Sequence, residues 1–318
     1  MVNPLKRLLF IYNPKAGKSK IRALLADIVE IFDRAGYTIT IRPTRRKGDA
    51  TRLLARHAEE YDRIVVSGGD GTLNEALSGI RIAEEKGKAF PELGYIPTGS
   101  TNDFAISLGI PTDPVRAAQV AATGEIFPCD CGTFNGHPFA YVAAFGAFTK
   151  VSYATPQQIK NTLGHFAYVL EGIKSLAQIK GIPFTVQTDD ETFSGNYLYG
   201  MVSNSNSIGG FNGIYGKESV ALNDGFLEDL LIKEPRTPAE LSELMSDLLR
   251  SNLRSRHVVW LKTKRITFAC DEAVPWTLDG EFGGDPSVAE ILAVKDAFRV
   301  AVPPKDLLPA SAAQRLKA

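Results

Sequence analysis

Apolar and polar positions along the first 130 residues follow a pattern that predicts strands and helices in turn. An apolar run at 8–12 indicates a strand, and apolar positions over 21–32 then share one helical face before Gly36. Further strands are predicted at 37–42, 63–67 and 94–96, and further helices at 49–60 and from residue 72. This order is typical of a Rossmann-like doubly wound α/β domain, which binds ligands at the carboxyl ends of its parallel strands.

After residue 128 the pattern changes to short β-rich runs separated by turn signals. Strands are predicted at 139–145, 184–187, 197–203, 227–232, 258–261, 266–269 and 288–294, and helices at 164–178 and 238–253. Turns are indicated by Asn135-Gly136, Asp189-Asp190 and Asn223-Asp224-Gly225. The pattern therefore predicts an α/β domain at 1–128, a mainly antiparallel β domain at 129–297, and a tail at 298–318 that could pack back on the first domain.

Composition and charge narrow the range of functions. Lys and Arg number 36 against 36 Asp and Glu, so no global field draws the chain onto a polyanion, and no nucleic-acid partner is expected. Three cysteines and four histidines show no metal-ligand spacing, which argues against a zinc site or a disulfide framework and fits a reducing cytosol. The apolar run near the N-terminus is too short for a signal peptide or a membrane span. We expect a cytoplasmic protein that reaches any lipid substrate from the membrane surface.

Two glycine-containing loops that follow predicted strands carry residues suited to phosphate binding. The loop at 13–19 (NPKAGKS) opens a helix, where free backbone N–H groups favour an anion, although an ordinary turn is equally compatible with it. The loop at 68–72 (GGDGT) allows close backbone approach, and Thr72 with Glu75 predicts a capping box. Asp70 would repel a triphosphate unless a divalent cation lies between them or the carboxylate acts on a proton. A tight Gly-Asp-Gly turn is the alternative.

The remaining candidate segments are one more loop and two Asp-Gly pairs. PTGSTND, at 97–103, follows the next predicted strand and would face the same crevice as the preceding loop, although a Ser or Thr helix cap is the simpler explanation. Asp224-Gly225 and Asp279-Gly280 are typical hairpin turns. Glu281 follows the second pair, where the chain direction could aim its carboxylate at a cleft.

The motifs NPKAG, GGDGT, PTGSTND, NDG and LDGE, in this order, resemble those of the soluble bacterial diacylglycerol kinases, members of a wider lipid kinase group. The resemblance spans about 8–302 and includes FTKVSYATP at 148–156 and FAYVLEGIK at 166–174. GGDGT alone is shared with NAD kinases and phosphofructokinases. The resemblance implies transfer of the γ-phosphate of ATP to the hydroxyl of diacylglycerol, giving phosphatidic acid. It also implies a requirement for Mg²⁺ and a nucleotide cleft between an α/β domain and a β-sandwich.

The resemblance implies roles for individual residues. The implied catalytic residues are Glu281, as general base, and a network of Asp70, Asp103 and Asp130. The implied nucleotide contacts are Asn13, Pro14, Lys15, Ala16, Gly17, Thr44, Gly69, Asp70, Gly71, Thr72, Leu73, Asn74, Glu75 and Ser100. A structural magnesium, additional to the one that accompanies ATP, is implied at Asp224 and the carbonyls of Ala221 and Phe226. Phe145 stands where relatives tend to have glycine, which could reshape the lipid site.

Other functions and partners stay open at this point. An NAD kinase is one alternative, although its second Asn-Glu pair is missing here, where Asn-Glu occurs only at Asn74-Glu75. A kinase of another lipid alcohol and a non-catalytic lipid-binding protein are the others. The expected partner is a lipid substrate, reached peripherally at the inner face of the membrane, and a homodimer is left open. A basic set over 250–265 could approach anionic headgroups or form a solvated face.

Overall fold

The structure is a computed structural model, in which the chain folds into two compact units. It describes residues 6–88, 91–146, 180–205, 207–208, 211–212, 220–250, 252, 254–308, 312 and 316. The first unit comprises Met1–Cys131, Ala221–Gly225 and Val294–Ala318, and the second comprises Gly132–Val220 and Phe226–Ala293. The predicted domain boundaries at 128/129 and 297/298 stay predictions. The helix predicted at 164–178 lies outside the described residues.

The first unit contains a parallel sheet. Its first four strands are β1 (Lys6–Tyr12), β2 (Tyr37–Pro43), β3 (Arg63–Gly68) and β4 (Glu92–Pro97). They pair in the order β2-β1-β3-β4, and the C-terminal part of the long strand β17 (Val288–Val302) adds beside β4, where Val300 pairs with Leu93. The strand order reverses between β1 and β3, which is the point where doubly wound folds bind their ligands.

Helices connect the strands of this sheet. They are α1 (Lys20–Ala23), α2 (Leu25–Arg34), α3 (Asp49–His57), α4 (Asp70–Glu85), α5 (Asp103–Ser107) and α6 (Pro114–Thr123). Single 3₁₀ turns cover Ala16–Ser19, Ala58–Glu60 and Lys305–Leu307. The α2 helix packs on β2 and α6, whereas α3 packs on α4, which contacts β3. The predicted alternation of strands and helices is confirmed, with the helix predicted at 21–32 divided near Leu24.

The core of the first unit is continuous along the central strands. All six residues of β3 are buried, as expected for a strand covered on both faces. Phe10 of β1 packs edge-on against Phe32 of α2, with ring centroids 5.5 Å apart. This packing fixes α2 against the strand that borders the reversal point.

The second unit is antiparallel. Its strands are β5 (Glu125–Phe134, shared with the first unit), β6 (His137–Phe139), β7 (Val142–Gly146), β8 (Ile182–Thr188), β9 (Thr192–Ser203), β10 (Ser207–Ile208), β11 (Phe211–Asn212), β12 (Leu227–Lys233), β13 (Val258–Thr263), β14 (Arg265–Ala269), β15 (Trp276–Leu278), β16 (Glu281–Gly284) and the first part of β17. One described helix, α7 (Pro238–Leu249), interrupts them. The main path is β16-β15-β7-β9-β8-β14-β17, and β12 pairs with both β9 and β13.

Aromatic side chains fill the core of the second unit. Phe145 is fully buried, with its ring centroid 4.6 Å from that of Phe184 and 4.8 Å from that of Trp276. A Cβ atom on Gly200 would clash with the Phe145 ring, so the large side chain on β7 and the missing one on β9 complement each other. Phe145 is therefore a core residue, and its ring does not line a surface that a lipid could contact directly.

Turn predictions in this unit have mixed outcomes. Asn135 (φ 46°) and Gly136 (φ 81°) form the left-handed pair of a two-residue hairpin between β5 and β6, as predicted. The Asp189-Asp190 turn is also confirmed, since the N–H of Thr188 donates to the Glu191 carbonyl at 2.9 Å. Asp224-Gly225 is different: the described residues just before it are not a strand, so this pair is not a hairpin turn.

Candidate nucleotide and catalytic site

Loops that leave the parallel strands extend the backbone hydrogen bonding of the sheet at its carboxyl edge. The N–H of Asn13, after β1, donates to the Ser67 carbonyl at 2.8 Å, and the N–H of Thr98, after β4, donates to the Gly68 carbonyl at 2.8 Å. These bonds tie the three glycine-containing loops to one edge of the sheet, across its reversal point. The structure therefore brings the predicted phosphate-binding loops together within the first unit.

Glycines in these loops are required by contacts between the loops themselves. Gly17 has a φ of 54°, and a Cβ atom there would clash with the Thr98 carbonyl oxygen. A Cβ on Gly99 would lie 2.7 Å from the Cα of Gly69. The glycine pattern thus has a structural cause that does not depend on any ligand.

Two buried carboxylates lie beside these loops. Asp70 is the first residue of α4 and is 8% exposed, and the hydroxyl of Thr101 donates to its Oδ2 at 3.1 Å. Asp103 is fully buried at the start of α5. Burial, and then the negative charges of Asp70 and Asp103, raise the pKa of Tyr95, whose hydroxyl donates to the Gly68 carbonyl. Asp70 and Asp103 therefore concentrate negative charge at the end of β3.

The capping box predicted for α4 is wrong. The helix begins before Thr72, and its N-cap is Gly69, which provides no side-chain cap. The Glu75 carboxylate instead accepts hydrogen bonds from the backbone N–H groups of Gly48, at 2.7 Å, and Ala50, at 3.2 Å. Sequence spacing alone does not reveal this long-range bond, which fixes α4 to the beginning of α3.

The other implied nucleotide residues occupy varied environments. Asn13 accepts a hydrogen bond from the Lys15 N–H through its Oδ1, at 2.9 Å, and donates from Nδ2 toward the Thr72 hydroxyl at 3.4 Å. Ser100 is exposed, whereas Leu73 is fully buried, so only the backbone of Leu73 could face a ligand. Asn13 thus orders its own loop and links it to α4.

Asp130 organises a second acidic region of the first unit. Its Oδ2 accepts from the Gly225 N–H at 2.6 Å and its Oδ1 from the Asp296 N–H at 2.8 Å, and its own N–H donates to the Leu222 carbonyl. Burial raises the pKa of Asp130, the two backbone hydrogen bonds oppose this, and the carboxylates of Asp296 and Asp224 raise it further. Asp130 therefore holds the turn that carries Asp224, an arrangement that no spacing in the sequence indicates.

The donor chemistry around Asp224 fits a hard cation. Asp130, Asp224 and Asp296 place three carboxylates near one another, and oxygen is the donor that Mg²⁺ prefers. Asp130 already accepts two backbone hydrogen bonds, so Asp224 is the carboxylate suited to a ligand role, with the remaining positions left to carbonyls and water. Across the part of the chain that the structure describes, no group of three or more His, Cys, Asp or Glu residues forms a ready-made metal site.

In the second unit, a hairpin presents Glu281. Asp279 (φ 49°) and Gly280 (φ 83°) form a two-residue left-handed turn between β15 and β16, and Leu278 pairs with Glu281 across it. Glu281 is exposed at the first position of β16. The hairpin predicted here is confirmed, and the role of Glu281 stays a prediction.

Asp279 is a residue that the sequence reasoning missed. Only 5% exposed, its carboxylate accepts hydrogen bonds from three consecutive backbone N–H groups, those of Ala140 at 2.7 Å, Tyr141 at 2.9 Å and Val142 at 3.1 Å. The Asp279 N–H also donates to the Val142 carbonyl at 2.8 Å. This carboxylate therefore fixes the turn that carries Glu281. Its signal in the sequence, an Asp-Gly pair, indicates only the turn.

A second buried carboxyl group, Asp229, lies on β12 between the core residues Leu227 and Leu231. It is fully buried, and the hydroxyl of Thr263 donates to its Oδ2 at 2.8 Å. Its Oδ1 has no hydrogen-bond partner among the residues whose positions are given. Burial raises the pKa of Asp229 to about 8, against the opposing effect of the Thr263 hydroxyl. The group is consequently protonated at neutral pH.

Acidic partners neutralise much of the basic set over 250–265. Arg256 lies 2.6 Å from Glu243, Arg265 lies 2.6 Å from Glu290, and Lys262 lies 3.5 Å from Glu228. These pairs favour the solvated-face interpretation over a membrane-binding role for the set.

Both halves of the chain match known domain families. Residues 7–134 match the diacylglycerol kinase catalytic domain, and residues 142–302 match a domain described as the YegS C-terminal NAD kinase beta sandwich-like domain. These matches define a two-domain kinase with a C-terminal β-sandwich.

Similar proteins agree with this class. A protein named diacylglycerol kinase from Bacillus subtilis (strain 168) is 35% identical over 283 residues, covering 88% of this chain and 91% of that protein. A diacylglycerol kinase from Staphylococcus saprophyticus is 36% identical over 282 residues, covering 88% and 90%. The crystal structure of a candidate diacylglycerol kinase from Bacillus anthracis str. Sterne has a TM-score of 0.78 at 25% identity and covers 96% of this chain and 97% of its own.

The chain belongs to the diacylglycerol kinase family. The NAD kinase alternative is not favoured, because the catalytic domain and the named relatives are those of diacylglycerol kinases. Among the described helices, none is long and apolar enough to cross a membrane.

Proposed function

We propose that this protein transfers the γ-phosphate of ATP to the hydroxyl of diacylglycerol and so forms phosphatidic acid. The observation that carries the proposal is the buried carboxylate of Asp70 among three glycine-containing loops, in a chain about one-third identical to proteins named diacylglycerol kinase. Phosphoryl transfer requires positioning and charge stabilisation more than covalent chemistry, and loops of this kind supply both.

The first unit would bind the nucleotide. Backbone N–H groups of the loops after β1 and β3 are placed to donate to phosphate oxygens, since helices begin directly after both loops. Asn13, Thr72 and Glu75 hold these loops in place through the hydrogen bonds described above. Thr44, whose N–H donates to the Tyr12 carbonyl at 2.9 Å, would contribute from the end of β2.

Carboxylates would divide the remaining work. Asp70 would position the reacting groups and, with Asp103 and Asp130, form the implied network. Glu281 would take the proton from the attacking hydroxyl, and Asp279 would position it. Mg²⁺, when bound, would neutralise charge on the phosphate being transferred. Asp224 would hold a second, structural ion together with the carbonyls of Ala221 and Phe226.

Diacylglycerol is a membrane lipid, so we infer that the protein works peripherally, at the cytoplasmic face of the membrane. The chain offers no global charge for this contact, since acidic and basic residues balance. A homodimer stays a prediction that no observation on the described residues addresses.

The test is a labelling experiment that offers several acceptors. Purified protein is incubated with γ-labelled ATP and Mg²⁺, together with diacylglycerol in mixed micelles, a sphingoid base in mixed micelles, or NAD. We expect label in phosphatidic acid, and we expect Glu281→Gln to abolish most of it. Label in the sphingoid product would assign another lipid alcohol as the acceptor, and label in NADP would contradict a lipid kinase altogether.

A further inference from the structure

A basic groove lies in the first unit, between the end of β2 and the outer face of α3. Its volume is about 380 Å³. The residues that line it are Arg42, Pro43, Arg45, Asp49, Arg52, Leu53, Arg56 and His57. Residues 49, 52, 53, 56 and 57 recur at helical spacing, so one face of α3 forms a wall of the groove. The volume is that of a site for a small molecule or a headgroup.

The charge of this groove stands out in a chain that is neutral overall. Residues 42–57 contain six Lys or Arg and a single acidic residue, Asp49, whereas the whole chain has 36 of each sign. Sequence reasoning passed over this run, although a count of charges in a sliding window would have found it. Charge concentrated in a concave surface raises the local concentration of anions.

Asp49 does not neutralise the groove. Its Oδ2 accepts hydrogen bonds from the backbone N–H groups of Arg45, at 2.7 Å, and Arg46, at 3.0 Å, and its Oδ1 pairs with the Arg52 side chain. The backbone bond from Arg45 is the largest influence that lowers the pKa of Asp49. Asp49 is therefore engaged in closing the turn before α3.

Three guanidinium groups remain available for a ligand. Arg42, Arg45 and Arg56 are exposed, and none has an ion pair with any described residue. Arginine presents paired N–H donors in a planar fork that matches the oxygens of a phosphate group. The floor between them includes Leu53, which is partly buried and could contact an apolar part of a ligand.

We propose that this groove is a binding site for a phosphate group, distinct from the nucleotide site. The group could be carried by a lipid headgroup or by a small soluble phosphate, and both present the same oxygens to arginine. The proposal rests on the groove itself and not on the proposed kinase activity.

The experiment compares two double variants with equal changes in net charge. Arg45→Gln/Arg56→Gln removes two unpaired groove arginines, and Arg256→Gln/Arg265→Gln removes two paired ones from the second unit. One arm titrates inorganic phosphate and glycerol 3-phosphate by calorimetry. The other measures cosedimentation with phosphatidylcholine vesicles, with and without phosphatidylglycerol. Melting temperature and ATP affinity are measured for all proteins.

We expect the wild type to bind in at least one arm, and the arm that responds identifies the source of the phosphate. The groove variant should lose about 25-fold in affinity, since each basic residue near an anionic surface contributes about fivefold. The control should bind like the wild type, and ATP affinity and melting temperature should not change. Absence of binding in both arms would overturn the proposal. So would equal losses in both variants, or a parallel loss of ATP affinity, which would make the groove part of the nucleotide site.

Discussion

The carboxylate of Asp279 accepts a hydrogen bond from the backbone N–H of Ala140 at 2.7 Å, a bond between residues 139 positions apart in the sequence. Two neighbouring N–H groups donate to the same carboxylate. The turn that presents Glu281 is therefore anchored to another strand by a buried negative charge, and its geometry depends on a side chain that has no chemical role of its own.

Replacing Asp279 tests this anchor. Asp279→Ala leaves three N–H groups in a buried region without their charged acceptor, so we expect a loss of about 2–4 kcal/mol in the free energy of unfolding. Turnover should fall as well, because Glu281 loses its support. Urea denaturation and kinase assays measure the two effects. Asp285→Ala, a change of the same charge nearby, should leave both quantities close to those of the wild type.

Glu281→Gln tests the proposed general base. Gln keeps the size of the side chain but cannot accept a proton, so turnover should fall by about 10²- to 10⁴-fold. Affinity for ATP should barely change, because the implied nucleotide contacts lie in the first unit. Glu272→Gln, at an exposed position of the same unit, is the control. Near wild-type turnover of Glu281→Gln at saturating lipid would shift the role of base to Asp70.

Asp70→Asn should lower turnover by a factor of about 100 or more while the protein stays folded, since a positioned carboxylate contributes at least this much. The amide retains an oxygen that can accept from Thr101, so the loop contact need not be lost. Asp27→Asn, an exposed acidic residue in the first turn of α2, controls for the loss of charge at a helix start. A fall in melting temperature without a specific fall in turnover would make Asp70 a structural residue.

Removal of metal tests the structural ion at Asp224. A ligand that binds only the folded state stabilises it, so chelator should lower the melting temperature of the wild type in magnesium-containing buffer. The shift should be smaller in Asp224→Ala, which lacks the carboxylate ligand. Equal shifts in the two proteins would contradict a second ion at this position.

Asp229 makes stability depend on pH. The folded protein holds this proton more tightly than the unfolded chain, in which the pKa is near 4, so stability should fall as the pH rises from about 4 to about 8. Asp229→Asn should remove up to a tenfold change in the folding equilibrium constant per pH unit within that window. Urea titrations at several pH values measure this, and an unchanged pH slope in the variant would contradict the raised pKa.

Local signals in the sequence predicted most of the elements of both units. The parallel strands were visible because their apolar runs end at glycine loops, and the Asn135-Gly136 and Asp279-Gly280 hairpins because both central residues adopt positive φ. The start of α4 was misplaced because Glu75 bonds to α3 rather than to its own helix end.

What the sequence could not show depends on distance along the chain. Asp279 lies about 140 residues from the N–H groups that donate to it, and Asp130 lies 95 residues from Gly225. Neither contact leaves a local pattern. Asp229 was hidden for another reason: it is a polar residue in a mostly apolar strand, and only packing shows that it is buried.

The strand β17 has a consequence for how the protein is made. Its last part completes the parallel sheet of the first unit beside β4, and the first unit also contains residues 221–225. During synthesis this unit must wait with an open sheet edge until residue 302 has left the ribosome, even though its first four strands lie within residues 6–97. An N-terminal fragment that ends after β5 would expose the same edge permanently, and such an edge invites pairing between chains.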